Sequence, residues 1–360
     1  MRVLLLLFDH PDNPRVGGGG AMRMQNISRF LIGQGHQVHW VAGWFPGCSE
    51  LPPEPGLRLT FVGKTPKLRA AFYALRALSK LRKFSREADV VVEDFSPYAP
   101  IFSWGIKSVP IVLQLQNYVG KHFLVRNRII GPLLFWIESV YPRLFSHIVV
   151  VGDALRHRFS IDAAVIPQGV SESAFAVSPE AGSYIAFLGR IDFDQKGIDL
   201  LLDAAAKTGL PIRIAGGGTE LPRLLKALEP LPNVVHVGYL GELDKFDFLA
   251  RSRFAVLPSR FEGEPTSVVE TAACGKAVLV SNIPEMAYAV EEGFGRAFRS
   301  GDADDLARTM TELWADVPKL EAMGRAGRKF AEDRAWSAIG NRFETYLLDV
   351  IRKFAALKGA

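Results

Sequence analysis

Two consecutive doubly wound α/β domains are what this 360-residue sequence predicts. Short apolar runs alternate with amphipathic stretches from one end to the other, and the runs are short enough for strands buried on both faces of a parallel sheet. The alternation breaks once, around 167–182, where Pro167, Gly169, Pro179 and Gly182 cluster. The length also exceeds what one ordinary core holds. In such folds ligands bind at the carboxyl ends of the strands, so two sheets facing each other would leave a cleft between domains.

The elements follow in order. An apolar run at 3–8 leads into a loop with Gly17 to Gly20, an amphipathic stretch at 21–34, a turn at Gly35 and a second run at 38–42. The first run superficially resembles a signal peptide, but it is short and Asp9, Pro11 and Asp12 follow, so it reads as a buried first strand. Further strands are expected at 90–92, 110–115 and 147–151. The apolar stretch 129–137 ends at Glu138, short of the about 18 residues that cross a bilayer. The second half repeats the grammar, with strands near 183–188, 212–215, 234–237, 254–257 and 277–280. Helices are expected at 197–208, 219–228, 242–251 and 265–274, then from 303 onward, with a final one over 336–355. Cys48 and Cys274 offer neither metal spacing nor a disulfide framework, and a reducing cytoplasm is the expected location.

Charge is unevenly spread. Residues 1–180 carry 20 basic and 13 acidic side chains, residues 181–360 carry 23 and 25. The excess concentrates in Lys64, Lys67, Arg69, Arg76, Lys80, Arg82, Lys83 and Arg86, where no acid intervenes. Leu68, Phe72, Leu75, Leu78 and Leu81 recur there at helical spacing, which predicts a basic amphipathic helix over 64–86. Such a helix suits an anionic membrane surface, or else a packed helix with a solvated basic face. No nucleic-acid-binding module accompanies it, so nucleic acid is not an expected partner.

Two glycine clusters follow predicted strands, Gly17–Gly20 and Gly216–Gly218. Met22 and Leu221 stand where a dinucleotide fingerprint needs its third glycine, no acid ends the following strand, and no P-loop lysine is present. What remains is either a tight turn or a backbone that approaches an anion at a helix start, with Gly18, Gly19 and Gly217 as the candidates. After the first strand of the second half, Arg190 and Lys196 lie where a diphosphate would be held, the first gripping bidentately and the second as a point charge. Asp192 and Asp194 lack further ligands and make a poor Mg²⁺ site, so they read as loop acids and no metal site is expected. The segment 258–275 is the most informative. Pro265 suits a first helical position. The amides of Thr266 and Ser267 then point out of a helix N-terminus beside Glu262 and Gly263, ready for an anion. Glu270 lies about one and a half turns in, too deep to serve the helix dipole. Two carboxylates flanking an anion hole suit a ligand that joins a phosphate to polyols.

Taken together, these motifs resemble a retaining glycosyltransferase of family 4 with the GT-B fold, over nearly the whole chain. Gly17–Gly20 with Gly35-His36-Gln37-Val38 resembles the family's glycine loop and the strand after its first helix, which makes His36 structural. Val165-Ile166-Pro167-Gln168-Gly169-Val170 with Phe175 resembles its domain junction. Gly189-Arg190 with Lys196-Gly197 matches its diphosphate-binding pair, and Glu262 with Glu270 its Glu-x7-Glu signature, followed by Pro284-Glu285, Gly295 and Gly301-Asp302. The resemblance implies an acceptor domain over 1–172, a nucleotide-sugar domain over 173–335, and a helix over 336–360 that returns to the first. It also implies a nucleotide-diphosphate-sugar donor, no required cofactor, and a leaving diphosphate stabilised by Arg190 and Lys196. Glu262 would contact the sugar and Glu270 the ribose. One residue departs: Gln116 stands where many members have a His, and glutamine hydrogen-bonds a hydroxyl but does not titrate near neutral pH.

The expected function is therefore sugar transfer from a nucleotide donor to a glycan or lipid-linked acceptor, with catalysis resting on Arg190, Lys196, Glu262 and Gln116. The alternative, which Gln116 raises, is a catalytically impaired protein that binds without transfer. The basic 64–86 segment motivates the lipid-linked acceptor and a peripheral position on the cytoplasmic membrane face.

Overall fold

The computed structural model describes residues 1–13, 18–52, 54–63, 69–126 and 128–359. They form two compact units, one of Met1–Pro167 with Trp336–Ala360, the other of Gln168–Ala335. The division thus falls at 167/168 rather than after 172. Arg23, fully buried, donates to the carbonyls of Ile166 and Pro167 and fastens that end of the chain to the first unit. Val170 instead pairs with Ala335 within the second.

The first unit is a seven-stranded parallel sheet of β1 (Arg2–Leu6), β2 (Gln37–Gly43), β3 (Leu57–Val62), β4 (Val90–Asp94), β5 (Ile111–Leu115), β6 (Ile148–Val150) and β7 (Ala164–Val165), in the order β3-β2-β1-β4-β5-β6-β7. Side chains alternate between its faces. On one face Val3, Leu5, Val38, Trp40, Val90 and Val92 are covered by α1 (Gly19–Gly33) and by the long C-terminal helix, Trp336–Gly359. On the other, Leu4, Leu6, Val41 and Val91 meet α2 (Arg69–Ser85), while Leu113, Leu115 and Val150 pack with Tyr141, Leu155 and Phe159. Three helices border these last strands: α3 (His122–Arg126), α4 (Gly131–Val140) and α5 (Asp153–Phe159). His36 bonds Glu344 at 2.6 Å, tying the turn after α1 to the C-terminal helix.

The expected basic helix is corrected in two respects. It spans 69–85, Gly17, Lys64, Lys67 and Leu68 lying outside the described residues, and its buried stripe is Tyr73, Ala74, Ala77, Leu81 and Phe84. Phe72, Leu75 and Leu78 are exposed beside Arg76, Lys80 and Lys83. Large apolar side chains thus lie on both sides of α2: Tyr73, Leu81 and Phe84 pack on the sheet with the two alanines, and Phe72, Leu75 and Leu78 face outward.

The second unit is a six-stranded parallel sheet of β8 (Ile185–Leu188), β9 (Ile212–Ala215), β10 (Val234–Gly238), β11 (Phe254–Leu257), β12 (Val278–Ser281) and β13 (Gly295–Phe298), in the order β10-β9-β8-β11-β12-β13. Around it lie α6 (Phe193–Lys196), α7 (Ile198–Thr208), α8 (Leu221–Leu228), α9 (Glu242–Ala250), α10 (Thr266–Ala273), α11 (Ala287–Glu291), α12 (Ala303–Ala315) and α13 (Val317–Ala331); the C-terminal helix is α14. The helix expected over 197–208 is α7, which starts at Ile198; Gly197, its N-cap, separates it from α6, has a φ of 64° that suits glycine, and its Cβ would overlap the Pro258 carbonyl. Among the described residues no helix is long and apolar enough to cross a membrane.

Candidate active site

In the second unit the loops after β8 and β9 lie against each other, joined by bonds from Gly189 N to Ala215 O (3.1 Å) and from Ile191 N to Gly217 O (2.8 Å). Gly216 has φ 135°, and a Cβ there would overlap the Gly189 carbonyl oxygen. The glycine at 216 is therefore explained by the neighbouring chain rather than by an anion. Gly217 differs, having open space where its Cβ would be. Asp192 caps α6 by accepting from Gln195 N at 2.8 Å, and its other oxygen lies 3.5 Å from Arg190. Arg190 also donates to Gln195 Oε1 at 2.7 Å and is half-exposed, so its guanidinium is oriented yet accessible.

Lys196, at the end of α6, meets Glu262 on the loop after β11: Nζ to Oε1 is 2.5 Å, with side-chain exposures of 13% and 6%. An ammonium carries three donors and a carboxylate about four acceptor sites, so this bond leaves capacity on both groups. The two loops are further joined by Arg260 N to Gln195 O at 2.8 Å and by Gln195 Nε2 to Phe261 O at 3.3 Å. Arg260 clamps the turn through a bidentate pair with Asp199.

α10 starts one residue later than the sequence suggests. Pro265 occupies the N-cap, with ψ of 122°, and not the first helical position. Its ring fixes φ but its extended ψ holds it outside the helix. Thr266 and Ser267 are then the first helical residues, whose amides have no partner inside the helix. Glu270, on the next turn, receives Lys245 from α9 at 2.6 Å, with both side chains mostly buried. Lys245 was not legible in the sequence: nothing in its local pattern sets it apart, and its partner is 25 residues away. Glu264 serves a different purpose. It accepts from Gln168 N at 2.6 Å and pairs with Arg334 at 2.5 Å, so it fastens the two ends of this unit.

In the first unit Gly18 caps α1, and the strands β1, β4 and β5 end side by side. Gln116, just beyond β5, donates to Asp94 Oδ1 at 2.6 Å and lies 3.0 Å from where a Gly20 Cβ would stand. Gln114 donates to the same oxygen at 3.0 Å. Gln116 Oε1 is buried with no partner among the described residues. The place expected to hold a titratable His thus holds an amide bound to an acid that sequence reasoning missed. Burial pushes Asp94 up to about 7, against the pull of both glutamines and Arg23. Between the ordinary carboxyl value and about 7, the folded chain keeps a proton that the unfolded chain has released. Asp94 therefore costs stability progressively as pH rises through that window, by at most ~1.4 kcal/mol per pH unit. The expected result is that Asp94→Asn raises the unfolding temperature relative to the parent more at pH 8 than at pH 4.5. Equal differences at both pH values in thermal melts would refute the assignment.

Residues 17–173 match the family described as Glycosyltransferase Family 4, and residues 172–330 that described as Glycosyl transferases group 1. A phosphatidyl-myo-inositol mannosyltransferase of Mycolicibacterium smegmatis is 30% identical over 330 residues, covering 84% of this chain and 82% of that one. Among solved structures, sucrose-phosphate synthase from Thermosynechococcus elongatus superposes with a TM-score of 0.85 at 16% identity, over 98% of this chain and 100% of that one. The Anabaena protein HepE, solved with UDP and glucose, superposes with a TM-score of 0.76 at 16% identity, over 97% and 100%. With two parallel-sheet α/β units and these relatives, the chain belongs to glycosyltransferase family 4 and has the GT-B fold.

Proposed function

We propose that the protein is a retaining, metal-independent transferase that moves a sugar from a nucleotide-diphosphate donor to a glycan or lipid-linked acceptor. The observation that carries this reading is the pairing of Lys196 with Glu262 and of Lys245 with Glu270, beside Arg190 and the start of α10. Two braced carboxylates thus flank one anion-receptive helix end. Arg190, the remaining donors of Lys196 and the amides of Thr266 and Ser267 hold the diphosphate, where negative charge grows as the glycosidic bond breaks. Glu262 accepts from sugar hydroxyls, and Glu270, held by Lys245, accepts from the ribose. Gly18 and Gly19, with Gly217 and Gly263, let backbone approach the donor, and Pro265 fixes the turn before α10. The acceptor oxygen attacks the face that the diphosphate leaves, and a donor phosphate oxygen takes its proton, so configuration is kept. Gln116 hydrogen-bonds the reacting sugar. Two cationic side chains supply the charge a divalent ion would otherwise bring, while Asp192 is engaged as a helix cap.

The relative that acts on phosphatidyl-myo-inositol supports a lipid-linked acceptor, as does the basic outer face of α2. HepE's complex with UDP supports a nucleoside diphosphate as the donor's leaving part. The test is isothermal titration of UDP, GDP, ADP and TDP and their sugar conjugates in the presence of chelator. One nucleotide should bind in the micromolar range and weaken at least about tenfold in both Arg190→Ala and Glu270→Ala. Absence of binding by every nucleotide to folded protein would defeat the reading. Binding without any diphosphate release in the presence of candidate acceptors would defeat the transfer step.

A further inference from the structure

Thirteen of the 21 exposed large hydrophobic side chains among the described residues lie between Phe72 and Leu144, which makes the apolar surface local rather than scattered. Around α3 and α4 it includes Ile129, 90% exposed, Leu133 and Trp136, 60% exposed; the neighbouring 98–104 segment adds Phe102 and Trp104.

These side chains stand on a braced frame. At the end of β4 the buried Glu93 accepts from Ile101 N (3.2 Å), Ser103 N (3.4 Å), Ser103 Oγ and Tyr141 Oη (2.8 Å). Tyr141 follows α4 directly, and its oxygen also receives Phe102 N at 2.7 Å. One carboxylate thus fastens the 101–103 turn to the end of α4. On that turn Phe102 has φ 58°, a conformation disfavoured for a residue with a Cβ, and its ring is half in solvent. A second buried carboxylate, Glu138 on α4, accepts from Val119 N (2.9 Å) and Gly120 N (2.6 Å), and so secures the approach to α3. The Tyr98 ring meets Phe123 of α3 edge-on at 5.7 Å.

Charge and composition identify the occupant. From Phe95 to Gly152 the sequence has no acid except Glu138, which is buried, whereas Lys107, Lys121, Arg128 and Arg143 are exposed. Tryptophans among aliphatic side chains with a basic rim suit the headgroup level of an anionic bilayer. The outer face of α2 repeats the pattern with Phe72, Leu75, Leu78, Arg76, Lys80 and Lys83, and covers the same face of the sheet. Phe145 packs against the cores beneath both regions.

We propose that the 98–104 segment, α3 and α4 form an insertion platform that seats the first unit on an anionic lipid surface. This deepens the lipid-linked acceptor reading and is tested apart from it, without transfer. The full chain is sedimented with vesicles of phosphatidylcholine containing about one third phosphatidylglycerol, and with pure phosphatidylcholine. The parent should bind the anionic vesicles and show tryptophan quenching by lipids brominated on their chains. Ile129→Ser/Trp136→Ser should lower the bound fraction about tenfold, and Trp104→Ser should lessen the quenching, while nucleotide titration and melting temperature stay at parental values. Leu133→Glu, on the same exposed face, provides an independent second variant with the same expectation. Unchanged binding in these variants, with loss only in Lys80→Glu/Arg82→Glu/Lys83→Glu, would overturn the platform in favour of α2 alone. A parent that ignores vesicles but forms a dimer abolished by Ile129→Ser/Trp136→Ser would overturn it in favour of a second copy. Loss of nucleotide binding in the parent would strike the donor reading and leave the vesicle result standing.

Discussion

Replacing Lys196 by alanine is expected to lower kcat by about 10²–10³ and to destabilise the second unit at the same time. Both effects follow from one geometry. Lys196 Nζ lies 2.5 Å from Glu262 Oε1 in a place where the carboxylate is only 6% exposed. Removing the ammonium leaves a buried charge without its partner, which typically costs about 3–5 kcal/mol. On the proposed mechanism it also removes a preorganised cation from the position where the leaving diphosphate would gain charge. The two consequences separate in a double-mutant cycle. Glu262→Gln added to Lys196→Ala neutralises the orphaned carboxylate, so most of the lost stability should return in denaturant titrations, with no recovery of kcat. If Lys196→Ala raised KM and left kcat unchanged, Lys196 would bind donor equally in ground and transition states and the leaving-group role would fall. If the double variant regained activity, the rate loss in the single one would have been misfolding rather than missing charge.

That Lys196 and Glu262 meet was only half visible in the sequence. Both lie just past strands that read clearly, β8 and β11, because these strands are central in their sheet and apolar on both faces. Strands β3, β7 and β13 gave no such signal. Each is an edge of its sheet, with a neighbour on one side only; β3 carries Arg58 and Thr60 at alternate positions, and β13 reads Gly-Arg-Ala-Phe. A hydrophobic run marks burial on both faces, which these three edges lack; the fourth edge, β10, was legible from Val234, Val235 and Val237. A similar limit governs the site. Glu270 stood out by its depth in a helix, but its partner Lys245 is an ordinary lysine on an amphipathic helix, identified only by tertiary proximity. Asp94 ends a strand next to another acid, Glu93, and the sequence does not distinguish them. In the structure Glu93 faces inward to brace the 101–103 turn, and Asp94 joins Gln114 and Gln116 at the strand end. The alternation of side chains along β4 separates two adjacent acids into one that braces the 101–103 turn and one that holds Gln114 and Gln116.

The glycine cluster after β9 provides the second large effect, since its members do different things. Gly216→Ala should destabilise the protein by on the order of 3 kcal/mol and weaken donor binding at least about tenfold. The added methyl meets the Gly189 carbonyl at a backbone φ of 135°, where a Cβ is already strained. Relief by movement is blocked on both sides, because Gly189 N is bonded to Ala215 O and Ile191 N to Gly217 O. Any displacement passes to Arg190, which lies between those two anchors. Gly217→Ala is the matched control. Its Cβ would meet nothing in the protein, so stability should stay within about 0.5 kcal/mol. If donor passes over that backbone, affinity alone should fall. The pair therefore separates a fold requirement from a ligand requirement one residue apart. A Gly216→Ala variant that melts with the parent would mean that the two loops are not held as described, and with them the orientation of Arg190. A Gly217→Ala variant with parental affinity would keep the loops and remove Gly217 from the donor site.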